Sequence, residues 1–365
     1  PMVLMRNHVT DRPLENWLEE GIFPIESGLN EEHVRNGSLL ALVEMIKSGT
    51  TSFLDMYFEV EATAEAVLEA GLRANISLGL LTSHEGEDNI AKAKSKWMNF
   101  HNKYNGSGNG LIRSSLEVHS VYLYEDKGLR DSAMFAAEAG TMIHCHLNET
   151  QNEVKNCIEK YGVSPIRKFL DCGLLDIPVT AAHTVWIDEE EMDILIDKGV
   201  HPVHCPSSNM FLGSGFAPVP EMLAKGLPVA IGTDGAASNN DLDMIAETAL
   251  TALLHKGRKL NPTVVNASEA IKMATSNGAT AIGFNDTGMI KEGMKADIIM
   301  VNTDTSHNSP MLNPLNALVY STKCSDVDTV IVNGKVIMEN RELKTLDEEK
   351  IKFNARNSSK ILLGN

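Results

Sequence analysis

Four ionisable side chains stand where apolar runs of this chain end: His146, with Glu149 three residues on, then His183 and Asp234. Imidazole nitrogens and carboxylate oxygens are donors that hold a zinc-class ion, and a carboxyl beside such donors can carry protons to and from a reacting molecule. His119 closes an earlier run in the same way. A single strand-end histidine is most often a hydrogen-bonded structural residue. When four of the last five run ends carry such groups, a shared site at one end of a parallel sheet explains them better.

The elements that must position these groups follow from periodicity. From residue 50 onward, short β-rich runs alternate with helical patterns, as in successive βαβ units. Seven runs are predicted strands: 50–57, 74–82, 111–120, 141–148, 178–185, 200–206 and 227–234. Segments such as 61–72 and 188–198 space apolar residues three and four apart and are predicted covering helices. A closed barrel of this kind needs eight strands and carries its chemistry at their C-terminal ends. Residues 1–50 supply no further strand, since 1–6 is short and the rest predicts a loop followed by a helix over 31–47. The expected fold is therefore α/β, a (β/α)8 TIM-type barrel over 1–287 whose first strand lies upstream of Pro1. The character changes at Gly288, so 288–365 is expected to be a small β-sandwich-like appendage plus a tail. Within it, Asn333-Gly334 between two apolar runs is a hairpin signal. The GSGNG of 106–110 is expected to be a loop.

Composition excludes several classes. The 365 residues are 43% hydrophobic and 22% charged, enough for a large core. Lys+Arg 32 against Asp+Glu 49 gives a formal charge of -17, which repels a polyphosphate backbone and argues against nucleic acid as a partner. Five cysteines without CxxC spacing predict neither a disulfide framework nor a zinc knuckle, and fit a reducing, cytoplasmic setting. No apolar run reaches the roughly 18 to 20 residues of a membrane span, and no signal pattern opens the chain. A small molecule is the expected partner, and a homo-oligomer is compatible with all of this.

The candidate residues sit inside longer motifs: PMVLMR at 1–6, WLEEGIFPIE at 17–26, GTTSFLDMYF at 49–58, HSVYL at 119–123, HLNET at 146–150, HCPSSNMFLGSG at 204–215 and GTDGAASNN at 232–240. In this order the chain resembles, over essentially its whole length, the amidohydrolase superfamily. Within it, the resemblance is to the adenosine-deaminase-like branch that acts on 5'-methylthioadenosine and S-adenosylhomocysteine. The resemblance implies hydrolytic loss of the 6-amino group of an adenosine derivative, giving the inosine analogue and ammonia. It implies a purine nucleoside as substrate and one divalent ion, of zinc type. No lysine stands where binuclear relatives carry a carboxylated one, at the end of the strand that here closes on His119.

By the same resemblance His146 and Asp234 are metal ligands, completed by an HxH pair expected upstream of Pro1. Asp234 also takes the attacking water's proton, Glu149 protonates the purine ring nitrogen and helps expel ammonia, and His183 hydrogen-bonds the hydroxide. His119 reaches the sugar region, and Glu26 accepts bonds from the ribose hydroxyls. His144 matches no ligand position and is read as structural, and His201 and His204 as lining or bracing the mouth. Cys145 and Cys205 should face the helices, and Ser207, Ser208, Asn209 and the 17 methionines are read as core or loop material. Relatives that prefer S-adenosylhomocysteine carry arginines in the loop after the second run. Residues 78–88 hold none, with His84 the only basic side chain, which favours 5'-methylthioadenosine, 5'-deoxyadenosine or adenosine. Two other readings stay open: another ring hydrolase, for guanine, cytosine or a triazine, and a metal-free pseudoenzyme or binding protein.

Overall fold

The seven β-rich runs build seven parallel strands: β1 (Ser52–Met56), β2 (Arg73–Gly79), β3 (Ile112–Glu117), β4 (Ile143–Leu147), β5 (Val179–His183), β6 (His201–His204) and β7 (Ala230–Ile231). The structure is a computed structural model that describes residues 1–80 and 87–364. The strands pair in sequence order, β1 through β7, as expected when each intervening helix returns the chain to the neighbouring position. Among the described residues no eighth strand joins this sheet, and β1 and β7 are its edges.

Strand alternation sorts the side chains. Leu116, Ile143, Cys145, Leu147, Val179 and Ala181 point outward into a cluster with Trp97, Phe135, Phe169, Leu195 and Met222 of the covering helices. Cys145 is thus a helix-facing apolar group, as expected. On the opposite face of the sheet lie Ser77 of β2 and His144 and His146 of β4, with Ser77 Oγ 3.0 Å from His144 Nδ1. The predicted helices are present as Val60–Ala70 and Glu189–Asp197, the latter opened by an Asp188/Glu191 capping box. Helix Glu31–Ser48 begins on the Asn30 side chain and ends at Gly49, whose φ of 90° is the left-handed conformation that favours glycine at this position.

Residues 14–26, expected as loop, are instead consecutive helical turns, Leu14–Asn16, Trp17–Ile22 and Phe23–Glu26. Trp17, Ile22 and Ile25 are buried there against Met5, Leu212 and Ala237, a tertiary contact that outweighs the local breakers Gly21 and Pro24. The segment 81–86, with His84, lies outside the described residues. Among the described residues no helix is long and apolar enough to cross a membrane.

The appendage is one four-stranded antiparallel sheet, in the order β11 (Glu342–Leu343), β10 (Lys335–Glu339), β9 (Val327–Val332), β8 (Ile298–Val301). Asn333 and Gly334 form the β9–β10 turn at φ 53° and 75°, both positive as a type I′ hairpin requires. The apolar residues of the sheet, including Val327, Val330, Ile337 and Met338, share a cluster with Leu42, Ile46, Val67 and Leu72, so helices rather than a second sheet cover it. Where the appendage begins, the fully buried Arg73 of β2 donates Nε at 2.6 Å and Nη2 at 2.9 Å to the two oxygens of Asp297. Asp297 also accepts the backbone N–H of Asn333 at 2.7 Å. Removing one partner strands the other charge in a dry site, so Asp297→Ala should destabilise the fold by about 3–5 kcal/mol. The check is a shift of the denaturant midpoint at unchanged slope.

Candidate functional site

His146 ends β4 on the interior side, and its Nδ1 donates to the His119 carbonyl at 2.9 Å. That bond fixes the ring and turns the Nε2 lone pair toward the mouth, the arrangement of a ligating histidine. The His119 ring lies 4.5 Å from that of His146, and burial with the surrounding imidazoles holds His119 neutral, well below the usual histidine range. His144, one inward step below, bonds Ser77 and is pushed by burial down to about 3. It is neutral and engaged by Ser77, in keeping with the structural reading that its mismatch to the family's ligand positions implies.

His183 reaches the same space by a different route. Alternation along β5 would send it outward beside Ala181, among the helices. Its backbone instead takes φ 74°, and Thr184 follows at φ 44°. Left-handed conformations are costly for residues other than glycine, most of all for a β-branched one. Here they turn the imidazole inward, 5.4 Å from the His146 ring. Nδ1 lies 2.9 Å from Asn209 Oδ1 and therefore donates to it, leaving Nε2 to face Glu149 Oε2 at 3.7 Å. Burial alone would lower the His183 pKa, but Glu149, Asp234 and the Asn209 bond outweigh it and raise the value above the usual histidine range.

Asp234 follows β7 at φ 62°. Its Oδ2 accepts from Ser208 Oγ at 2.6 Å and Ser238 Oγ at 2.8 Å. Burial would raise its pKa, yet His183, His146 and the two hydroxyls hold it below the usual carboxylate range. One donor atom each from His146, His183 and Asp234 lies within 4.8 Å of the others. Two imidazoles and a carboxylate, each anchored at its other donor atom, fit a zinc-class ion. Glu149 is buried beside them and accepts from Ser214 Oγ at 3.0 Å.

The structure thus brings together His119, His146, Glu149, His183 and Asp234. Glu26 stands apart from them and accepts from Tyr57 Oη at 2.7 Å, with burial raising its pKa. His204, expected to line or brace the mouth, points the other way, with Nε2 3.2 Å from His255 Nε2 on helix Met244–Lys259. Sequence reasoning also missed the anchors. Ser208 and Asn209, read as core or loop, hold Asp234 and His183, and Ser214, given no role in the sequence, holds Glu149. Gly215, at φ 119°, packs so closely on Trp186 that a Cβ would sit 3.2 Å from its ring, and Trp186 Nε1 donates to the Ser214 carbonyl at 2.7 Å. Glu247 ties this segment to the next loop, accepting from Ser207 N and from Asn239 Nδ2. The available signal was a polar SSN run directly after an apolar strand end, the same anomaly that singled out the histidines.

Comparison with known proteins agrees with this architecture. The model of the amidohydrolase family matches residues 1–337. The chain is 47% identical over 363 residues to a 5-methylthioadenosine/S-adenosylhomocysteine deaminase of Acetivibrio thermocellus, covering 99% of this chain and 84% of the relative. It is 46% identical over 354 residues to the protein of that name from Dictyoglomus turgidum, covering 97% and 82%. Among solved structures, an adenosine deaminase from Xanthomonas campestris with bound zinc superposes at a TM-score of 0.94 with 31% identity, covering 100% of this chain and 83% of that one.

The His183 environment yields a direct check. Removing the Glu149 charge takes away the foremost of the interactions that favour the imidazolium. In chelator-treated protein, Glu149→Gln should lower the titration midpoint of His183 seen by NMR; an unchanged or higher midpoint would contradict the pairing.

Proposed function

The chain belongs to the amidohydrolase family, and from that premise we propose that it removes the 6-amino group of an adenosine derivative by hydrolysis, releasing ammonia. The observation that carries this reading is the convergence of His146, His183 and Asp234 within 4.8 Å, beside the buried carboxyl of Glu149. Relatives at 46–47% identity that carry the name 5-methylthioadenosine/S-adenosylhomocysteine deaminase support those nucleosides as the substrate class. A zinc-bound adenosine deaminase of the same fold supports zinc as the ion.

In this reading His146 and Asp234 hold the ion, and His183 orients the attacking water. When bound, such an ion supplies a water whose pKa has fallen to about 7. Asp234 already stands charged beside two imidazoles, with its second oxygen engaged by hydroxyls, and it accepts the water's proton. Glu149 is fixed through Ser214 and delivers a proton to the ring nitrogen beside the attacked carbon, then assists the departing ammonia. His119 faces the sugar region. Glu26, preset by Tyr57, accepts the ribose hydroxyls.

Turnover of 5'-methylthioadenosine by the zinc-loaded protein, read as loss of the adenine absorbance band with equal release of ammonia, tests the reading. Inert adenosine derivatives alongside rapid turnover of guanine would sink it. His146→Ala and Asp234→Ala should each bring bound metal well below one per chain, while Glu149→Gln should keep the metal and lower kcat by about 10²–10⁴. Glu26→Ala should depress kcat/KM for nucleosides strongly and for free bases little, because a free base has no ribose to hold.

A further inference from the structure

We propose that Glu153 is a positioning residue that aims the carboxyl of Glu149 by fixing the peptide plane between Asn148 and Glu149. The proposal rests on the deaminase reading above and deepens it. Helix Gln151–Tyr161 is capped by Thr150, whose side chain accepts from the Glu153 N–H. In an ordinary capping box the third helical residue returns its carboxyl to the N–H of the cap itself. Glu153 reaches one residue further back and accepts the N–H of Glu149, at 2.6 Å.

The other end of that same peptide unit is also clamped. The Asn148 carbonyl accepts from Val185 N and Trp186 N, each at 3.0 Å. Asn148 itself is held at φ 52°, with its side chain donating to the Trp186 carbonyl at 2.7 Å and accepting from Ile166 N at 3.2 Å. A residue in the left-handed region relaxes once the bonds that over-determine it are cut. Of the two atoms that orient the peptide, its oxygen is bound by backbone alone. Its N–H depends on one side chain.

That side chain is unusual for a cap. Glu153 is only 8% exposed, and its Oε1 is fully buried without a hydrogen-bond partner among the described residues. Burial and the nearby Glu149 push its carboxyl up to about 8, so it is protonated at neutral pH and places no second charge beside Glu149. A plain cap would not require a carboxyl carried into the interior. A role in setting the backbone from which the Glu149 side chain departs accounts for its reach, its burial and its neutrality together.

The test compares Glu153→Gln, which keeps an acceptor oxygen and no charge, with Glu153→Met, which fills the volume but cannot accept. Both are made in the full chain, loaded with zinc and assayed on 5'-methylthioadenosine. Glu153→Gln should retain at least about a third of wild-type kcat; Glu153→Met should lose about 10- to 100-fold in kcat with KM within about threefold. Combined with Glu149→Gln, Glu153→Met should cost less than about threefold further, since a residue acting through another has little left to act on. Normal kcat in folded Glu153→Met, or a full additional loss in the double variant, would overturn the proposal. Should Glu153→Met fail to fold, the glutamine variant decides alone, and a kcat below a tenth of wild type in that isosteric protein overturns the acceptor role. Wild-type turnover in the same assay separates the two claims. Its absence overturns the deaminase reading and this inference with it, whereas its presence with an unaffected Glu153→Met overturns only the inference.

Discussion

A carboxylate held between two imidazoles is the interaction on which the rest of this structure depends. Drawing Asp234 partly out of water is unfavourable unless neighbours restore what solvent supplied. Two serine hydroxyls on one of its oxygens and the rings of His146 and His183 do so, strongly enough to hold the acid below its usual pKa despite burial. The compensation works only if the imidazoles arrive at fixed angles. That requirement explains why the backbone accepts left-handed conformations at His183, Thr184 and Asp234, where no glycine is present. Strain of this kind persists only where surrounding bonds over-determine it, and the mouth of the barrel is dense with such bonds.

The scaffold divides the work. The strands provide a rigid row of ends from which side chains converge, and their outward apolar residues lock those ends to the helices. The loops beyond the strands then set angles. Segment 206–215 is the clearest case: a short helix and the turn after it send Ser208, Asn209 and Ser214 to three different ionisable groups supplied by three other strand ends. Glu247 binds that segment to the loop after Asp234. Disturbing this segment therefore disturbs Asp234, His183 and Glu149 together.

Much of this was legible in the sequence, for physical reasons. Buried parallel strands must be apolar, so seven runs stood out, and an ionisable residue at such a run's end is an anomaly that points to chemistry. His146, Glu149, His183 and Asp234 were found that way. What escaped was what side-chain type does not encode. The turn of His183 into the mouth depends on a positive φ that histidine seldom takes, and strict alternation would have sent it to the helices. Ser208, Asn209 and Ser214 have the composition of any loop, and only their partners, distant in sequence, reveal their task. His204 resembled a mouth residue by type, but its place in the β6 alternation sends it to His255. The helical turns of 14–26 are held by Trp17 and Ile22 packing on distant residues, which local periodicity does not report.

The claim that binds these observations is that water, positioned among His146, His183 and Asp234, supplies the oxygen that replaces the 6-amino group. Mass spectrometry of the product formed from 5'-methylthioadenosine in ¹⁸O-labelled water tests it most directly. The account predicts one solvent ¹⁸O in each product molecule, with one ammonia released. Conversion without label, or an intact substrate in the presence of zinc-loaded protein, would contradict it.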